Sequence, residues 1–283
     1  MLYNKIMYRK VFINTYLKNG FSFDEAKSEV DFALETLFNF TYKDFMLGKS
    51  LESWQIAKLE KVLDERTKTH RPIQQIIGQA YFYGRRFFVD EYTLIPRPET
   101  ELLVDKVLEI SKKISNPKIL DIGTGSGCIP LTLILENNNV SVDAVDVSSE
   151  TLETAKKNAL FHNVLNNIHF FKSDLFSNVN DKYDIIVSNP PYIPLKEKEN
   201  LQVEVKNYDP GLALFTKDDL GIEFYDKIVT KANDYLLPNG FLAFELGINQ
   251  SALVSDLLQK NNFSSIQIFK DYNSIDRVII CQK

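Results

Sequence analysis

The chain carries only two cysteines, Cys128 and Cys281, and three histidines among its 283 residues. The cysteines lie far apart and match no metal-ligand spacing, and the histidines are scattered, so no metal site is expected. So little cysteine also fits a reducing compartment, and a cytoplasmic location is expected. No apolar run approaches the ~18–20 residues of a membrane-spanning helix. The first twenty residues are broken by Asn4, Lys5, Arg9, Lys10 and Asn14 and do not resemble a signal peptide. Internal repeats and low-complexity tracts are absent as well. Positive charge is not in excess: the net charge of −5 argues against a protein whose main partner is bulk nucleic acid. What remains is the ordinary balance of a globular protein, 44% hydrophobic and 25% charged. The length suits one large domain with a smaller one.

Residues 1–71 read as helices only. Ile6, Arg9, Lys10, Ile13 and Leu17 recur at helical spacing, and Gly20 ends that element. Ser22 and Glu25 suggest a capping box ahead of Ala26, Val30, Ala33, Leu34 and Leu37. A short helix over 41–47 closes at Gly48. Ser53 is a candidate cap for a fourth helix with apolar positions from 54 to 63, and Trp54 is read as core packing. Residues 72–92 are rich in β-forming side chains and predict a hairpin linker with Gly84 at its turn. The prolines of Leu94-Ile95-Pro96-Arg97-Pro98-Glu99-Thr100-Glu101 then make an extended connector, with Thr100 a candidate N-cap for a helix over 101–114. Arg97 and Glu99 are either a solvated linker or part of what closes a site.

Residues 93–283 form the main domain. Short apolar runs at 118–121, 140–145, 168–171, 185–188 and 241–245 alternate with helical patterns. That alternation predicts a mostly parallel, Rossmann-like α/β sheet. The runs at 266–269 and 277–281 are joined by a connection too short for a parallel crossover, so a terminal antiparallel pair is expected.

Two motifs sit at the carboxyl ends of these strands, where open α/β sheets bind ligands. Asp121-Ile122-Gly123-Thr124-Gly125-Ser126-Gly127 follows the first strand. Its glycines let backbone turn tightly and approach a ligand. Their spacing is not the Gly-x-Gly-x-x-Gly of dinucleotide sites, and no Lys-Ser/Thr ending marks a P-loop. Asp146 ends the second strand, where a carboxylate accepts ribose hydroxyls, and Asp174 ends the third, where it could meet an adenine edge. Together they describe a nucleoside pocket with no phosphate to bind, which fits S-adenosylmethionine better than NAD. Asn189-Pro190-Pro191-Tyr192 follows the fourth strand. The prolines stop the strand and stiffen the corner. Asn189 and any carbonyl left unpaired by the prolines can accept from an NH2 group, and Tyr192 offers a flat face. Taken alone the stretch reads as a Pro-stiffened turn. In this order with the glycine loop, it reads as a grip for an amide or an exocyclic amine.

On these residues the chain resembles the release factor glutamine N5-methyltransferases, a class I S-adenosylmethionine-dependent family. The likeness takes in the helical domain, the hairpin, Pro96-Arg97-Pro98-Glu99-Thr100-Glu101, the glycine loop, Asn189-Pro190-Pro191-Tyr192, and Glu245-Leu246-Gly247 with Gln250. The sequence departs from the family pattern at Gln75, at Asp209-Pro210 and over 215–221, all of which bear on the rim of the substrate site. The resemblance implies methylation of the glutamine in the Gly-Gly-Gln motif of peptide chain release factors, with the helical domain docking that protein. It implies Gly123, Thr124, Gly125, Ser126, Gly127, Asp146, Leu175 and Asn189 at the cofactor, where Leu175 could equally be core. Asn189, Pro190, Pro191 and Tyr192 would act on the substrate. A monomer is expected, with no membrane and no direct nucleic-acid substrate. The Asn-Pro-Pro-Tyr signature is shared with DNA amino-methyltransferases, so that activity, and a non-catalytic binding protein on the same scaffold, are the competing readings.

Overall fold

A computed structural model describes residues 7–283, so Ile6 lies outside the described residues. The chain forms two compact units. One comprises the described residues through Gln79 together with Gln202–Tyr208, and the other comprises Ala80–Leu201 with Asp209–Lys283.

The first unit is built from α1 (Met7–Lys18), α2 (Phe23–Phe38), α3 (Tyr42–Met46), α4 (Ser53–Thr69) and α5 (Ile73–Ile77). The buried face of α1 is Phe12, Ile13 and Tyr16, while Leu17 is exposed. Ser22 caps α2 by accepting from the Glu25 N–H at 3.2 Å. The Glu25 carboxylate does not complete the box but reaches Arg66 at 3.1 Å. Arg66 is buried among Glu25, Glu29 and Glu204, which satisfy its fork of donors. Two expectations are corrected in this unit. Glu52, not Ser53, is the N-cap of α4, and Trp54 is exposed: its ring meets Phe38 edge-on and its N–H donates to Glu52. α5 is little more than a single turn, too short to leave a period in the sequence.

The second unit opens with the hairpin β1 (Gln79–Phe82) and β2 (Arg85–Phe88). Its turn residues Tyr83 and Gly84 both have positive φ, 51° and 70°, the twist that joins antiparallel strands tightly. There follow α6 (Thr100–Ser111), β3 (Lys118–Ile122), α7 (Cys128–Glu136), β4 (Ser141–Asp146), α8 (Ser149–Phe161), β5 (Ile168–Lys172), β6 (Tyr183–Ser188) and β7 (Ile193–Pro194). After α9 (Val203–Tyr208), which belongs to the first unit, come α10 (Gly211–Leu214), β8 (Phe215–Thr216), α11 (Glu223–Tyr235), β9 (Leu236–Glu245), α12 (Ser251–Lys260), β10 (Ser264–Lys270) and β11 (Asp276–Gln282). Seven strands form one sheet in the order β10-β11-β9-β6-β3-β4-β5. Only β11 runs against its neighbours, pairing antiparallel with both β10 and β9. This is the mostly parallel α/β sheet with the terminal antiparallel pair that the short final connection required.

The central strands are apolar on both faces because helices cover both. Ile185 and Val187 of β6 join α6 and α7 in one core, and Ile186 between them joins α11 and α12 in the other. Cys128 and Cys281 are both buried and unpaired. Among the described residues no helix is long and apolar enough to cross a membrane. One further correction falls on α6. Its N-cap is Glu99, and Thr100, the first helical residue, turns its hydroxyl inward.

Candidate active site

β3 and β6 are neighbours although β4 and β5 lie between them in the chain, so the sheet switches direction of growth there. The crevice outside the carboxyl ends of such strands is where this architecture takes ligands. Ile122 is in register with Ser188, whose hydroxyl donates to the Ile122 carbonyl at 2.7 Å. The next residues, Gly123 and Asn189, therefore leave the sheet side by side. A cavity of about 450 Å³ opens at this point. Gly123, Thr124, Gly125, Ser126, Asp146, Leu175, Asn189, Pro190 and Pro191 all line it. Gly127 and Tyr192 lie behind the lining. A Cβ at Gly127 would meet the Leu131 and Ala155 side chains at 3.2 and 3.3 Å, so this glycine serves the close packing of α7 on α8. The Tyr192 ring packs against the core beneath α11 and α12.

The glycine loop is folded by backbone bonds. The N–H groups of Gly123 and Thr124 both donate to the Val145 carbonyl, at 2.9 and 3.0 Å. Gly123 and Gly125 have φ of 75° and 57°, which side chains disfavour, and their missing Cβ atoms would point into open space. Asp146 finishes the arrangement: one oxygen accepts from Gly125 N–H at 3.1 Å and the other from Ser148 N–H at 3.0 Å. Each oxygen keeps lone-pair capacity for a further donor such as a hydroxyl. Burial holds this carboxyl above its usual range, against those two backbone bonds. Leu175 sits in the left-handed region at φ 50°, a conformation a branched side chain adopts only when its surroundings impose it. The Ser173 hydroxyl, donating to the Leu175 carbonyl at 2.8 Å, helps to impose it.

Several buried polar atoms here lack a well-formed hydrogen bond to the protein: both oxygens of Asp121 and the hydroxyls of Thr124 and Ser126, although the Thr124 side chain lies close enough to Asp121 to favour its charged form. Buried polar groups are nearly always hydrogen-bonded, so such a cluster marks a place for something else. Burial pushes the Asp121 carboxyl up to about 7, and a cation beside it would restore the charged form. The donors and acceptors therefore fit a nucleoside with a cationic tail and no phosphate.

Thr100 and Asn189 also line the cavity, and a net of side chains drawn from distant segments stands behind them. The Thr100 hydroxyl donates to the buried Glu245 carboxylate at 2.6 Å, and Asn189 Nδ2 donates to the same Thr100 oxygen at 3.3 Å. Gln250, also buried, shares its amide N–H groups among the carbonyls of Tyr192, Leu220 and Gly221, at 2.9, 3.1 and 3.2 Å. Its oxygen accepts from Gly247 N–H at 3.0 Å. It thus ties the carboxyl end of the proline corner to two other loops. A Cβ at Gly221 would stand 2.2 Å from the Tyr192 carbonyl oxygen, so only glycine fits there. Arg97 lines the cavity and pairs at 2.6 Å with Asp209, whose carboxyl burial holds above its usual range despite that partner. Arg97 is therefore anchored at the site and is not a solvated linker residue.

A family model for the methyltransferase small domain matches residues 98–206. The release factor glutamine methyltransferase of Fusobacterium nucleatum is 39% identical over 94% of this chain and 75% of its own length. That of Flavobacterium psychrophilum is 41% identical over 91% of this chain and 92% of its own. The chain belongs to the release factor glutamine methyltransferase family. A methyltransferase of Pyrococcus furiosus shares the fold at 20% identity, with a TM-score of 0.52 over 80% of this chain and 98% of that one. The protein is thus a methyltransferase, and the resemblance read from its motifs holds.

Residue-by-residue reading passed over Asp121, Thr100, Glu245 and Gln250 as functional positions. A signal existed for two of them. Asp121 and Glu245 are carboxylates at or next to the carboxyl ends of apolar strand runs, and such a charge is costly to bury without a use. Thr100 and Gln250 gave none, since a threonine ahead of a helix looks like a cap and a glutamine ahead of another looks like surface.

Proposed function

We propose that the protein transfers the methyl group of S-adenosylmethionine to the side-chain nitrogen, N5, of the glutamine in the Gly-Gly-Gln motif of peptide chain release factors. The observation that carries this reading is the side-by-side departure of Gly123 and Asn189 from β3 and β6, in a chain whose relatives are release factor glutamine methyltransferases. The under-satisfied Asp121 carboxylate, the free lone pairs of Asp146 and the open glycines are the residues that would hold the cofactor. When bound, S-adenosylmethionine supplies an electrophilic methyl on a sulfonium.

The rest is the work of this chain. A glutamine amide nitrogen is a poor nucleophile because its lone pair is delocalised into the carbonyl. Asn189 Oδ1 and the Pro190 carbonyl accept its two N–H bonds, which aims the nitrogen and stabilises the positive charge that develops on it. Holding the two reactants in line supplies much of the remaining acceleration. No strong base is needed if the proton leaves after transfer. Pro191 stiffens the corner, and Tyr192 anchors it through the carbonyl that Gln250 grips. The helical unit docks the release factor, and the enzyme works as a cytoplasmic monomer.

The test is direct. The purified protein is incubated with S-adenosylmethionine and either a release factor or duplex DNA, and the products are read by mass spectrometry. One added methyl on the Gly-Gly-Gln glutamine is expected, with none on DNA. Methyl transfer to DNA, or to another residue of the release factor only, would overturn the reading.

A further inference from the structure

Asn189 has two chemically different ends, and only one of them can receive a substrate N–H. Which end faces the cavity is decided by a pair of residues that do not themselves grip the substrate amide. The 2.6 Å contact between the Thr100 hydroxyl and Glu245 Oε2 is, with Glu245 ionised, a short, charge-assisted hydrogen bond. It commits the only proton of that hydroxyl to the carboxylate, so the Thr100 oxygen can act only as an acceptor on its other side. The Asn189 atom 3.3 Å from it must then be the NH2 group. The amide orientation follows from this chemistry, and it turns Oδ1 away from Thr100.

We propose that Thr100 and Glu245 are positioning residues: an ionised Glu245, acting through Thr100, holds the Asn189 amide with its oxygen toward the substrate, and protonation of Glu245 releases it. The chain of donors is directional. A protonated Glu245 can donate to the Thr100 oxygen. The Thr100 hydroxyl proton is then free to turn toward Asn189, where it suits the amide oxygen and no longer the NH2 group. The flipped amide would present two donors to a substrate NH2 and repel it. This inference rests on the reading that Asn189 accepts from the substrate.

The surroundings set Glu245 near the point of reversal. Burial pushes its carboxyl up to about 7; the Thr100 hydrogen bond and the Arg277 charge oppose this, Glu99 adds to it, and the nearby Asn189 amide opposes it. Arg277 is partly spent on Asp271 and on the Leu246 carbonyl. From α7, Cys128 faces Glu245 with its thiol pushed up to about 12 by burial. From the proline corner and from α11, Tyr192 and Tyr225 stay neutral, both raised by burial. The Tyr225 hydroxyl donates to the Glu245 backbone carbonyl at 2.9 Å, not to its carboxylate. Glu245 is therefore the member of this hydrogen-bond chain whose charge changes near neutral pH; Asp121, which burial also lifts to about 7, is held charged at saturating S-adenosylmethionine by the cofactor's cation.

The experiment measures kcat and KM for a release factor at saturating S-adenosylmethionine from pH 5.5 to about 9. Cofactor Kd and thermal melting are followed alongside. Thr100→Val is expected to lower kcat at least about tenfold, with cofactor Kd within about twofold of wild type. Thr100→Ser, which keeps the hydroxyl, is expected to retain at least about a third of kcat. The wild-type kcat is expected to fall as pH drops through about 7. In Glu245→Gln that acid limb disappears and kcat stays low at every pH. Wild-type kcat in Thr100→Val while Asn189→Ala is inactive would overturn the relay and leave the proposed function standing. An acid limb that survives in Glu245→Gln would do the same. High turnover in Asn189→Ala would instead remove the reading on which the relay rests. If Thr100→Val does not fold, Thr100→Ser and the pH profile of Glu245→Gln decide the question.

Discussion

The glycine wall of the cavity, lined by 122–126, belongs to one contiguous stretch, 121–127, folded by its own backbone against Val145 and Asp146. The amide wall, lined by Thr100 and Asn189, is held from behind by Gly221, Glu245 and Gln250, residues that meet only in the folded chain. The first wall has acceptors and hydroxyls only weakly satisfied by the protein, which suits a ligand that brings its own donors. In the second, the NH2 of Asn189 and both ends of Gln250 are already engaged, which leaves the Asn189 oxygen defined in direction. A charged small molecule is met by buried acceptors and open glycines, and a neutral amide that must be aimed is met by rigidity. Breaking either wall should therefore fail in a different way.

The largest effect is expected from Asn189→Ala. Loss of an oriented acceptor for developing charge should lower kcat by about 10²–10³-fold, or ~3–4 kcal/mol in the transition state. Cofactor affinity measured by calorimetry should change much less. Equal losses in turnover and in cofactor affinity would mean that the two walls do not divide the work. Next in size is Asp146→Ala, on the other wall. It removes the acceptor of Gly125 and Ser148 N–H groups as well as lone pairs for a ligand, and should weaken S-adenosylmethionine binding by about 1–3 kcal/mol. Unchanged affinity would take Asp146 out of the cofactor site.

The same contrast explains what was readable in the chain. Strand and helix alternation survives in sequence because each element has its own period, and the glycine loop survives because it is contiguous. The proline corner is legible for the same reason. The net behind it is not, because Thr100, Glu245 and Gln250 have meaning only through each other. Residues 193–216 were opaque for a related reason. Their elements are two to six residues long, too short for periodicity. The stretch Gln202–Tyr208 is held in the first unit by long-range bonds: Glu204 to Arg66 at 3.0 Å, Gln75 to the Tyr208 carbonyl at 3.0 Å, and the Tyr208 hydroxyl to the Thr69 carbonyl at 2.6 Å. Gln75, where the family pattern has tyrosine, thus has a backbone partner of its own. Trp54 misled because a lone tryptophan usually packs inside, whereas here Phe38 and Glu52 hold it at the surface.

The smallest effect, and the one that sharpens the contrast most, is expected from Asp121→Asn. A buried carboxylate with little more than the Thr124 side chain beside it stores a penalty that a ligand cation relieves. Burial lifts its folded-state value to about 7 from an ordinary 3.8. Below about pH 4 the group is protonated in both the folded and the unfolded chain, and it costs nothing. As pH rises toward 7 the unfolded chain ionises first, so folded-state stability is lost across that window, and above it the loss levels off. Asparagine never ionises, so the cofactor-free variant should melt a few degrees above wild type at pH 8, on the order of 1 kcal/mol after the cost of burying its own amide. That advantage should vanish near pH 4. The same variant should bind S-adenosylmethionine more weakly, because the cation loses its counter-charge. A gain in stability coupled to a loss in affinity is what a ligand-awaiting wall requires. A variant less stable at pH 8 than wild type would show that Asp121 is satisfied within the fold and that the glycine wall is no less self-contained than the amide wall.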